Sequence, residues 1–337
     1  MGRRIATVFG GSGFLGRHIV KRLAQQGYTV RVAVRDVEAA MYLKPYGNPA
    51  QILLQACNVR DSEMVARSVE GADVVYSLVG LLSQWGKQTF DAVHVEGAHN
   101  IAKACAAARV SNLIHVSAIG ANDQAEAQYA RTKGAGEKAI FHAYPKAVIL
   151  RPSVVFGPED DFFNKFAAMS RFAPALPVMG APLIPEVSFD GDLEVNLYGD
   201  GGAKLQPVYV GDVAQAAVNA IDNETAKGKT YELGGPEVMT FMGIMKRVLK
   251  YTQRKRLLAP VAFPIAKILG GVLGFLPKPP LTGDQVLMLE SDNVVSEGTL
   301  TLQDLGVEPT LADVILPTYL GRYKELKNQP RHVERRL

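Results

Sequence analysis

The chain has 337 residues, 47% of them hydrophobic and 21% charged, an ordinary globular composition that excludes wholesale disorder. Its formal net charge of +4 is too small to indicate a nucleic-acid-binding protein by itself. The two cysteines, Cys57 and Cys105, lie inside apolar segments, which indicates a reducing compartment and no disulfide framework. Single hydrophobic cores stop growing at about 250–300 residues, so we expect one large domain and a smaller one.

Apolar runs alternate with stretches of helical period through the first half of the chain. The runs predicted to be strands are 5–9, 29–34, 51–57, 73–80, 112–117 and 147–152. Strands that alternate with helices indicate βαβ units, and uninterrupted apolar strands indicate a parallel sheet covered by helices on both faces. We therefore expect an α/β fold, a Rossmann-type doubly wound parallel sheet with a smaller, mainly helical C-terminal domain.

The alternation ends after Pro152, and this change sets the predicted domain boundaries. The segment that follows is rich in proline, glycine and acidic residues, and a strand and a helix then rejoin the first domain. The predicted parts are a Rossmann domain over 1–173 with 206–235, an irregular insert over 174–205, a C-terminal domain over 236–326 and a basic tail over 327–337.

The first predicted strand leads directly into a glycine-rich turn and then into a helix. Gly10 permits a tight turn, Gly13 lets backbone N–H groups approach a pyrophosphate, and Gly16 lets the helix and strand pack closely. The N-terminus of the helix supplies partial positive charge to the phosphates. A glycine triplet alone is weak support, but its place in a βαβ unit favours a dinucleotide site over a purely structural turn.

The residue that ends the second predicted strand bears on which nucleotide binds. An NAD site usually has Asp or Glu there, bound to the ribose 2′-hydroxyl. Here the strand ends with Val34, Arg35 and Asp36. Arg35 is suited to a charge-assisted contact with a 2′-phosphate, so we predict that NADP(H) is preferred over NAD(H), with NADPH as the cofactor. The alternative is a surface arginine at a strand end.

The order of the motifs indicates a family. In chain order they are Gly10-x-x-Gly13-x-x-Gly16, the segment IHVSAIGAN with Ser117, and Tyr129-Ala-Arg-Thr-Lys133. This set resembles the short-chain dehydrogenase/reductase superfamily. The segments LRPSVVFGPEDDF and PVYVGDVA are similar to its extended and atypical members, the nucleoside-sugar epimerase-like group. The resemblance covers residues 4 to about 235 clearly and the rest more loosely.

A narrower resemblance covers residues 129–174, and EDDFFNKFAAMSRF is its most specific part. This stretch is similar to the NADPH-binding accessory subunits of respiratory complex I (NADH:ubiquinone oxidoreductase) and their alphaproteobacterial relatives. The resemblance implies a peripheral subunit that holds NADPH tightly in a structural or assembly role, without established turnover. The implied partners are complex I subunits near the quinone-binding region, and we expect no nucleic-acid partner.

The superfamily resemblance also implies three catalytic side chains. Tyr129 would exchange a proton with a carbonyl or hydroxyl group, Lys133 would lower the pKa of Tyr129 and hold the nicotinamide ribose, and Ser117 would polarise the substrate oxygen. The same side chains can serve only as cofactor ligands. Three interpretations stay open: a nucleotide that is bound without turnover, a soluble NADP(H)-dependent oxidoreductase or epimerase/dehydratase, and a regulator that responds to the NADPH/NADP⁺ ratio.

The resemblance further implies a cofactor-binding set that extends beyond these motifs. Its members are Gly10, Ser12, Gly13, Phe14, Leu15, Gly16, Arg35, Asn58, Val59, Val79, Gly80, Ser117, Tyr129, Lys133, Pro152 and Val155. Three residues depart from the extended pattern: Phe9 replaces Thr before the glycines, Asn58 replaces the Asp that faces adenine, and His94 replaces a helix-bending Asn. Asn58 can still pair with an adenine amine, whereas Phe9 and His94 leave the geometry of turnover open.

Other titratable residues give no further site. The six histidines do not have a metal-ligand spacing, so we expect no metal, and His94 and His99 are interpreted as surface or packing residues. Asp160 and Asp161 are interpreted as a helix N-cap pair.

The segment 246–277 is a candidate membrane or partner surface. Its second part, 257–277, is almost wholly apolar, but Pro260, Pro264 and Lys267 interrupt it, so it is not a convincing membrane span. The basic run KRVLKYTQRKR precedes it, and cations beside an apolar, partly helical segment fit an anionic membrane surface or a partner at the membrane. The alternative is a helix that closes a substrate cleft and has a solvated basic face.

The first predicted strand begins almost at the N-terminus, which leaves no room for a secretory signal or a transit peptide. Together with the complex I resemblance, this predicts a peripheral protein on the cytoplasmic side of a bacterial inner membrane. The matrix side is the alternative for a trimmed mitochondrial protein.

Overall fold

The computed structural model describes residues 4–325 apart from 191, 275–278 and 280. The strands, numbered in chain order, are β1 (Ile5–Phe9), β2 (Thr29–Val34), β3 (Ile52–Ala56), β4 (Val74–Ser77), β5 (Asn112–Val116), β6 (Val148–Pro152), β7 (Val155–Phe156), β8 (Ala175–Met179), β9 (Glu186–Asp190), β10 (Asp192–Asn196), β11 (Lys204–Leu205), β12 (Val208–Tyr209), β13 (Thr230–Leu233), β14 (Met239–Thr240) and β15 (Leu257–Val261). The α-helices are α1 (Phe14–Gln25), α2 (Ser62–Val69), α3 (Ala98–Ala107), α4 (Gln128–Ala143), α5 (Phe162–Met169), α6 (Val210–Asn219), α7 (Phe241–Thr252), α8 (Phe263–Leu273), α9 (Gly283–Leu289) and α10 (Ala312–Leu320).

The described chain divides into two units. The first contains the residues up to Ser153 together with Val210–Gly234 and Asn293–Pro309. The second contains Val154–Tyr209, Gly235–Asp292 and the described residues from Thr310 onward. These divisions fall at different residues from the expected boundaries, and the predicted basic tail over 327–337 lies outside the described residues.

The first unit is built on a seven-stranded parallel sheet with the order β13-β6-β5-β4-β1-β2-β3. The six predicted strands coincide with β1 to β6, and the expected Rossmann-type fold is confirmed. Residues such as Val8, Val32 and Ile114 are wholly buried, as apolar strands between two helical layers should be. The strand order reverses between β1 and β4, and ligands of such folds bind at the carboxyl ends of the strands beside this switch point.

Two elements of the first unit were missed from the sequence. The seventh strand, β13, pairs with β6 at the edge of the sheet. Residues 293–309, expected in the C-terminal domain, join the first unit because Leu300 forms a bridge with Tyr231 and Asn293 accepts a hydrogen bond from the Ser153 hydroxyl at 2.6 Å.

The second unit combines helices α5 and α7 to α10 with short two-stranded pairings, such as β8 with β15. Its core contains an aromatic cluster in which the rings of Phe166 and Phe241 lie 5.6 Å apart. The segment 174–205, expected to be irregular, contains β8 to β11. Its proline and glycine content conceals these strands, yet Leu176 and Met179 of β8 are buried in the core.

The EDDFFNKF motif has a structural role within the second unit. The Asp160 carboxylate accepts from the backbone N–H of Phe163 at 2.6 Å, so Asp160 caps the first turn of α5, whereas Asp161 makes no side-chain cap. The Tyr319 hydroxyl donates to the same carboxylate at 2.7 Å. The motif therefore ties α5 to α10. In the part of the chain that the structure describes, no helix combines the length and the apolar character needed to cross a membrane.

Candidate functional site

The glycine turn lies between β1 and α1, and the surrounding backbone leaves little or no space for a Cβ at Gly10, Gly13 and Gly16. Gly10 has a φ of +79°, and its carbonyl accepts from the Gly13 N–H at 3.0 Å. A Cβ on Gly13 would lie 3.2 Å from this carbonyl oxygen, and a Cβ on Gly16 would overlap it. The first turn of α1 holds no acidic residue, so its free N–H groups keep their partial positive charge. The turn has the form of a phosphate cradle, and it includes Ser12, Phe14 and Leu15.

Two charged residues, Arg35 and Asp36, follow the end of β2, and in the described part of the chain only the carboxylate is hydrogen-bonded. Arg35 is exposed, and within the described residues it makes no hydrogen bond or ion pair. The Asp36 carboxylate accepts from the Ala39 N–H at 3.0 Å. One oxygen of the Asp36 carboxylate is therefore bound to the local turn, whereas the Arg35 guanidinium is open to an anion.

Two further residues, Arg17 and Tyr42, lie at the glycine turn and were not predicted from the sequence. The Tyr42 hydroxyl donates to the Ser12 carbonyl oxygen at 2.6 Å, and the Arg17 guanidinium lies 5.0 Å from the centre of the Tyr42 ring. Arg17 follows the third glycine directly, which was a signal in the sequence. Tyr42 gave none, because it reaches the turn from a 3₁₀ helix thirty residues away.

The ends of β3 and β4 bring further members of the predicted set toward the turn. A Cβ on Gly10 would lie 3.2 Å from the backbone N of Val79, so these two positions are adjacent, with Gly80 following. Asn58 follows β3, and its side-chain oxygen accepts from the Arg60 side chain at 3.3 Å and from the Arg60 N–H at 3.2 Å. The oxygen that was expected to meet an adenine amine thus has partners within the protein.

Ser117 and Lys133 meet at the end of β5. The Lys133 ammonium donates to the carbonyl of Val116 at 2.8 Å, directly beside Ser117. Ser117 is only 4% exposed, and among the described side chains its Oγ is the one buried polar atom without a hydrogen-bond partner. Burial lowers the pKa of Lys133 to about 8, with the Glu137 carboxylate acting in the opposite direction.

Tyr129 lies one turn before Lys133 on α4, where it is half-buried and contacts two aromatic rings. Its ring meets Phe90 edge to face at 5.9 Å and His94 edge to face at 5.4 Å. The predicted Ser117, Tyr129 and Lys133 therefore belong to one neighbourhood of the first unit. Pro152 ends β6 in the same unit, and its carbonyl accepts from the Ile119 N–H at 3.0 Å.

Val59 and Val155, the remaining members of the predicted set, lie in different units. Val59 is buried in the first unit, where its carbonyl accepts from the Asn100 side chain at 3.0 Å. Val155 lies in the second unit, in β7, where it pairs with Val208 of β12.

Two buried histidines stand beside Lys133, and sequence reasoning assigned neither a place there. His94 Nδ1 lies 3.0 Å from the Thr132 hydroxyl, and His115 Nδ1 lies 3.0 Å from the Ser77 hydroxyl. Burial, together with the Lys133 charge, lowers the pKa of His94 to about 3 and that of His115 well below its usual value. Both imidazoles are therefore neutral at pH 7. Within the described residues no cluster of three or more His, Cys, Asp or Glu side chains could hold a metal ion.

The family model described as the NAD dependent epimerase/dehydratase family matches residues 6–234. Among curated proteins, the chain is 32% identical to the mitochondrial NADH-ubiquinone oxidoreductase 40 kDa subunit of Neurospora crassa, over 95% of this chain and 79% of that protein. It is 33% identical to the mitochondrial NADH dehydrogenase (ubiquinone) 1 alpha subcomplex subunit 9 of Rattus norvegicus, over 95% of this chain and 80% of that protein. These matches confirm the resemblance that the motifs gave.

Solved structures support the fold. A triphenylmethane reductase from Citrobacter sp. superposes with a TM-score of 0.71 at 19% identity, covering 94% of this chain and 99% of that chain. A UDP-glucose 4-epimerase from Thermotoga maritima gives a TM-score of 0.67 at 19% identity, covering 95% and 98%. With a family model over two-thirds of its length and the same architecture, the chain belongs to the NAD dependent epimerase/dehydratase family.

Proposed function

We propose that this chain is an NADP(H)-binding accessory subunit of respiratory complex I, in which the nucleotide is held as a structural or assembly ligand without turnover. One observation carries the proposal. The family model ends at residue 234, whereas the relatives named as subunits of NADH dehydrogenase match 95% of the chain at 32–33% identity. The likeness to those subunits thus includes the second unit, where the EDDFFNKF motif ties α5 to α10.

The residues of the first unit fit a dinucleotide with a 2′-phosphate. The glycine turn brings bare backbone to the N-terminus of α1, with Gly16 packed directly against Gly10 and Gly11, and Arg35 offers an exposed guanidinium at the end of β2. The Ser117 hydroxyl lacks a partner and is available to a polar group of the ligand. A nicotinamide nucleotide would supply hydride chemistry when bound, and Lys133 would hold its ribose as an ammonium at neutral pH.

A bound nucleotide can act as a folding ligand in such a subunit. A ligand that binds only the folded state stabilises that state by mass action. The ring contacts of Tyr129 with Phe90 and His94, and the hydrogen bond from Lys133 to the Val116 carbonyl, favour a rigid holding site. We therefore expect NADPH to survive purification with the protein.

A second candidate function is supported by the intact set of Ser117, Tyr129 and Lys133. The Ser117 Oγ is buried without a partner, and a substrate carbonyl or hydroxyl would satisfy it. This observation favours an NADP(H)-dependent oxidoreductase or epimerase/dehydratase. The two functions differ in whether NADPH is consumed.

Helix α8 supports a peripheral place at the membrane, within the segment 246–277 (of which 275–277 lie outside the described residues). Ile265, Ile268, Leu269 and Val272 have helical spacing and are all exposed, Ile268 by 69% and Val272 by 66%. The opposite face, with Gly270, packs on α9. An exposed apolar stripe in a segment that also exposes Lys246, Lys250 and Lys255 is typical of a surface that meets anionic lipid or a membrane-bound partner. We place it on the cytoplasmic side of a bacterial inner membrane, near the quinone-binding region of the complex.

Gentle membrane solubilisation tests the proposal. We expect the chain to co-purify with NADH:ubiquinone oxidoreductase activity and to release NADPH, and not NADH, on denaturation. Recovery as a lone soluble protein that oxidises NADPH in the presence of a carbonyl compound would overturn it in favour of the enzyme. A chain recovered without any adenine dinucleotide would contradict both functions.

A further inference from the structure

His94 joins two separate parts of the first unit through one imidazole. The residue lies in a π-helical turn, Asp91–Gly97, and is 2% exposed. Its Nε2 accepts from the Leu81 N–H at 3.0 Å, in the loop that follows β4. Its Nδ1 lies 3.0 Å from the Thr132 hydroxyl on α4. Because Nε2 accepts from an amide, the single proton of the neutral ring lies on Nδ1 and is donated to Thr132.

The hydrogen bonds around His94 form a complete chain. The Thr132 hydroxyl, which accepts from His94, donates in turn to the Gln128 carbonyl at 2.9 Å. The His94 ring stacks on Phe90 at 5.2 Å and meets the Tyr129 ring edge to face at 5.4 Å. The imidazole therefore contacts both ends of the loop 81–90 and the helix that bears Tyr129. Burial beside the Lys133 charge keeps the ring neutral, which preserves its acceptor nitrogen.

The loop 81–90 has a second connection to α4. The Gln84 side chain accepts from the Phe90 N–H at 2.9 Å and donates to the Gln128 side chain at 3.1 Å. Between these anchors, Trp85 and Gln88 exchange backbone hydrogen bonds at 3.1 and 3.0 Å, and Trp85 is 71% exposed. An exposed tryptophan thus stands on a short hairpin whose base is fixed to the helix of Tyr129.

We propose that His94 is a positioning residue that couples the loop 81–90 to the nucleotide site, so that the loop of Trp85 responds to occupation of the site beside Tyr129. The inference rests on the proposed nucleotide binding. The physical basis of the coupling is that the His94 ring is hydrogen-bonded through Nε2 to Leu81 in the loop and through Nδ1 to Thr132, the neighbour of Lys133 on α4. A shift of Tyr129 or Lys133 on α4 is transmitted through one rigid ring.

Trp85 is the single tryptophan of the chain, so its fluorescence anisotropy reports on this loop. In the full-length protein, freed of any nucleotide retained on purification, we expect NADPH to raise the anisotropy of Trp85. We expect His94→Ala to lower it in the free protein and to abolish the response to NADPH. Loss of two hydrogen bonds should weaken NADPH binding about fivefold by calorimetry. His94→Gln, which keeps a donor and an acceptor, should restore part of the response, and His99→Ala on α3 is the matched control.

The outcomes separate this inference from the proposed function. If the native protein neither retains a nucleotide on purification nor binds NADPH by calorimetry, the proposed function fails, and the anisotropy of the free variants still tests His94. If His94→Ala only lowers thermal stability and leaves the Trp85 signal and its response as in the native protein, His94 is a packing residue and the coupling is wrong. Should His94→Ala not fold, Thr132→Val keeps the imidazole and removes the hydroxyl that accepts from Nδ1 and donates to the Gln128 carbonyl, and it should reduce the response in the same direction.

Discussion

The two units of the molecule differ in what they bury and what they expose. The first unit buries polar groups, such as Lys133, His94 and His115, at the carboxyl end of its sheet. The second unit exposes most of the large apolar side chains that are exposed in the described chain, with Phe172 at 85% and Ile268 on α8 among them. Buried polar groups are costly unless they are hydrogen-bonded, and exposed apolar patches mark surfaces where a partner or ligand can bind. In the proposed function, the first unit binds the nucleotide and the second unit meets the partner.

The largest effect is expected from a side chain in the glycine turn. A Cβ on Gly16 would overlap the Gly10 carbonyl oxygen and lie 2.6 Å from the Gly11 Cα. Because these are backbone atoms, relieving the overlap requires the turn itself to move, which destabilises the fold. We expect Gly16→Ala to lower the free energy of unfolding by about 1–3 kcal/mol and to abolish stabilisation by NADPH. Urea unfolding with and without NADPH measures both quantities.

The matched control lies on α8 in the second unit. A Cβ on Gly271 meets no atom within 4 Å, so Gly271→Ala should leave NADPH stabilisation unchanged and add about 0.5–1 kcal/mol of stability. Equal losses in the two variants would contradict the division of roles between the units.

The next largest effect is expected from Arg35→Ala, which should weaken the binding of NADPH and leave that of NADH unchanged. A charge-assisted pair with a 2′-phosphate contributes about 1.5–3 kcal/mol, so NADPH affinity should fall about 10- to 100-fold while NADH affinity stays constant. Calorimetry with both nucleotides measures this ratio. Arg67→Ala, an exposed arginine on α2, is the control. An equal loss for NADPH and NADH would remove the argument for a 2′-phosphate site.

The Lys133 ammonium gives a prediction on pH. Burial lowers its pKa to about 8, so the side chain is charged at pH 7 and loses its proton as the pH rises through 8. NADPH affinity should therefore decrease above pH 8, at most about tenfold per pH unit. Titrations from pH 7 to 10 should show this slope in the native protein and none in Lys133→Met. An affinity that increases with pH would be the opposite sign and would exclude Lys133 as a cationic ligand.

The neutral histidines His94 and His115 should affect the free energy of unfolding at acidic pH, whereas Lys133 acts above pH 8. The pKa of His94 is about 3 in the folded protein and that of His115 is also lowered, so the unfolded chain takes up protons first as the pH falls below 6.5. Stability should decline by at most about 1.4 kcal/mol per pH unit for each histidine. Urea unfolding at pH 7 and pH 5 measures the decline, and His94→Gln should reduce it. Equal stability at both pH values would show that the imidazoles are not held neutral.

Local sequence patterns were sufficient to predict strands β1 to β6 and the glycine turn of the first unit. Buried parallel strands are continuous apolar runs, and the glycine turn is a contiguous motif. The spacing of Tyr129 and Lys133 is also local to one helix. Contacts between distant segments were not visible. Tyr42 reaches Ser12, and His94 reaches Thr132, through separations of 30 and 38 residues. The same reason explains why β13 and the 293–309 segment were missed, since an edge strand and a returning loop carry little periodicity.

The smallest effect on stability is expected from a substitution on α8, Ile268→Ser, and this variant tests the second unit alone. Ile268 is exposed, so Ile268→Ser should leave the free energy of unfolding within about 0.5 kcal/mol of the native value. If the stripe meets lipid, binding to vesicles that contain anionic phosphatidylglycerol should weaken about fivefold, and added salt should weaken it further. Gly271→Ala on the same helix serves as the control. Unchanged vesicle binding, together with unchanged recovery in the solubilised complex, would mean that this apolar face docks on neither lipid nor partner, and the contrast between the units would then lose its functional meaning.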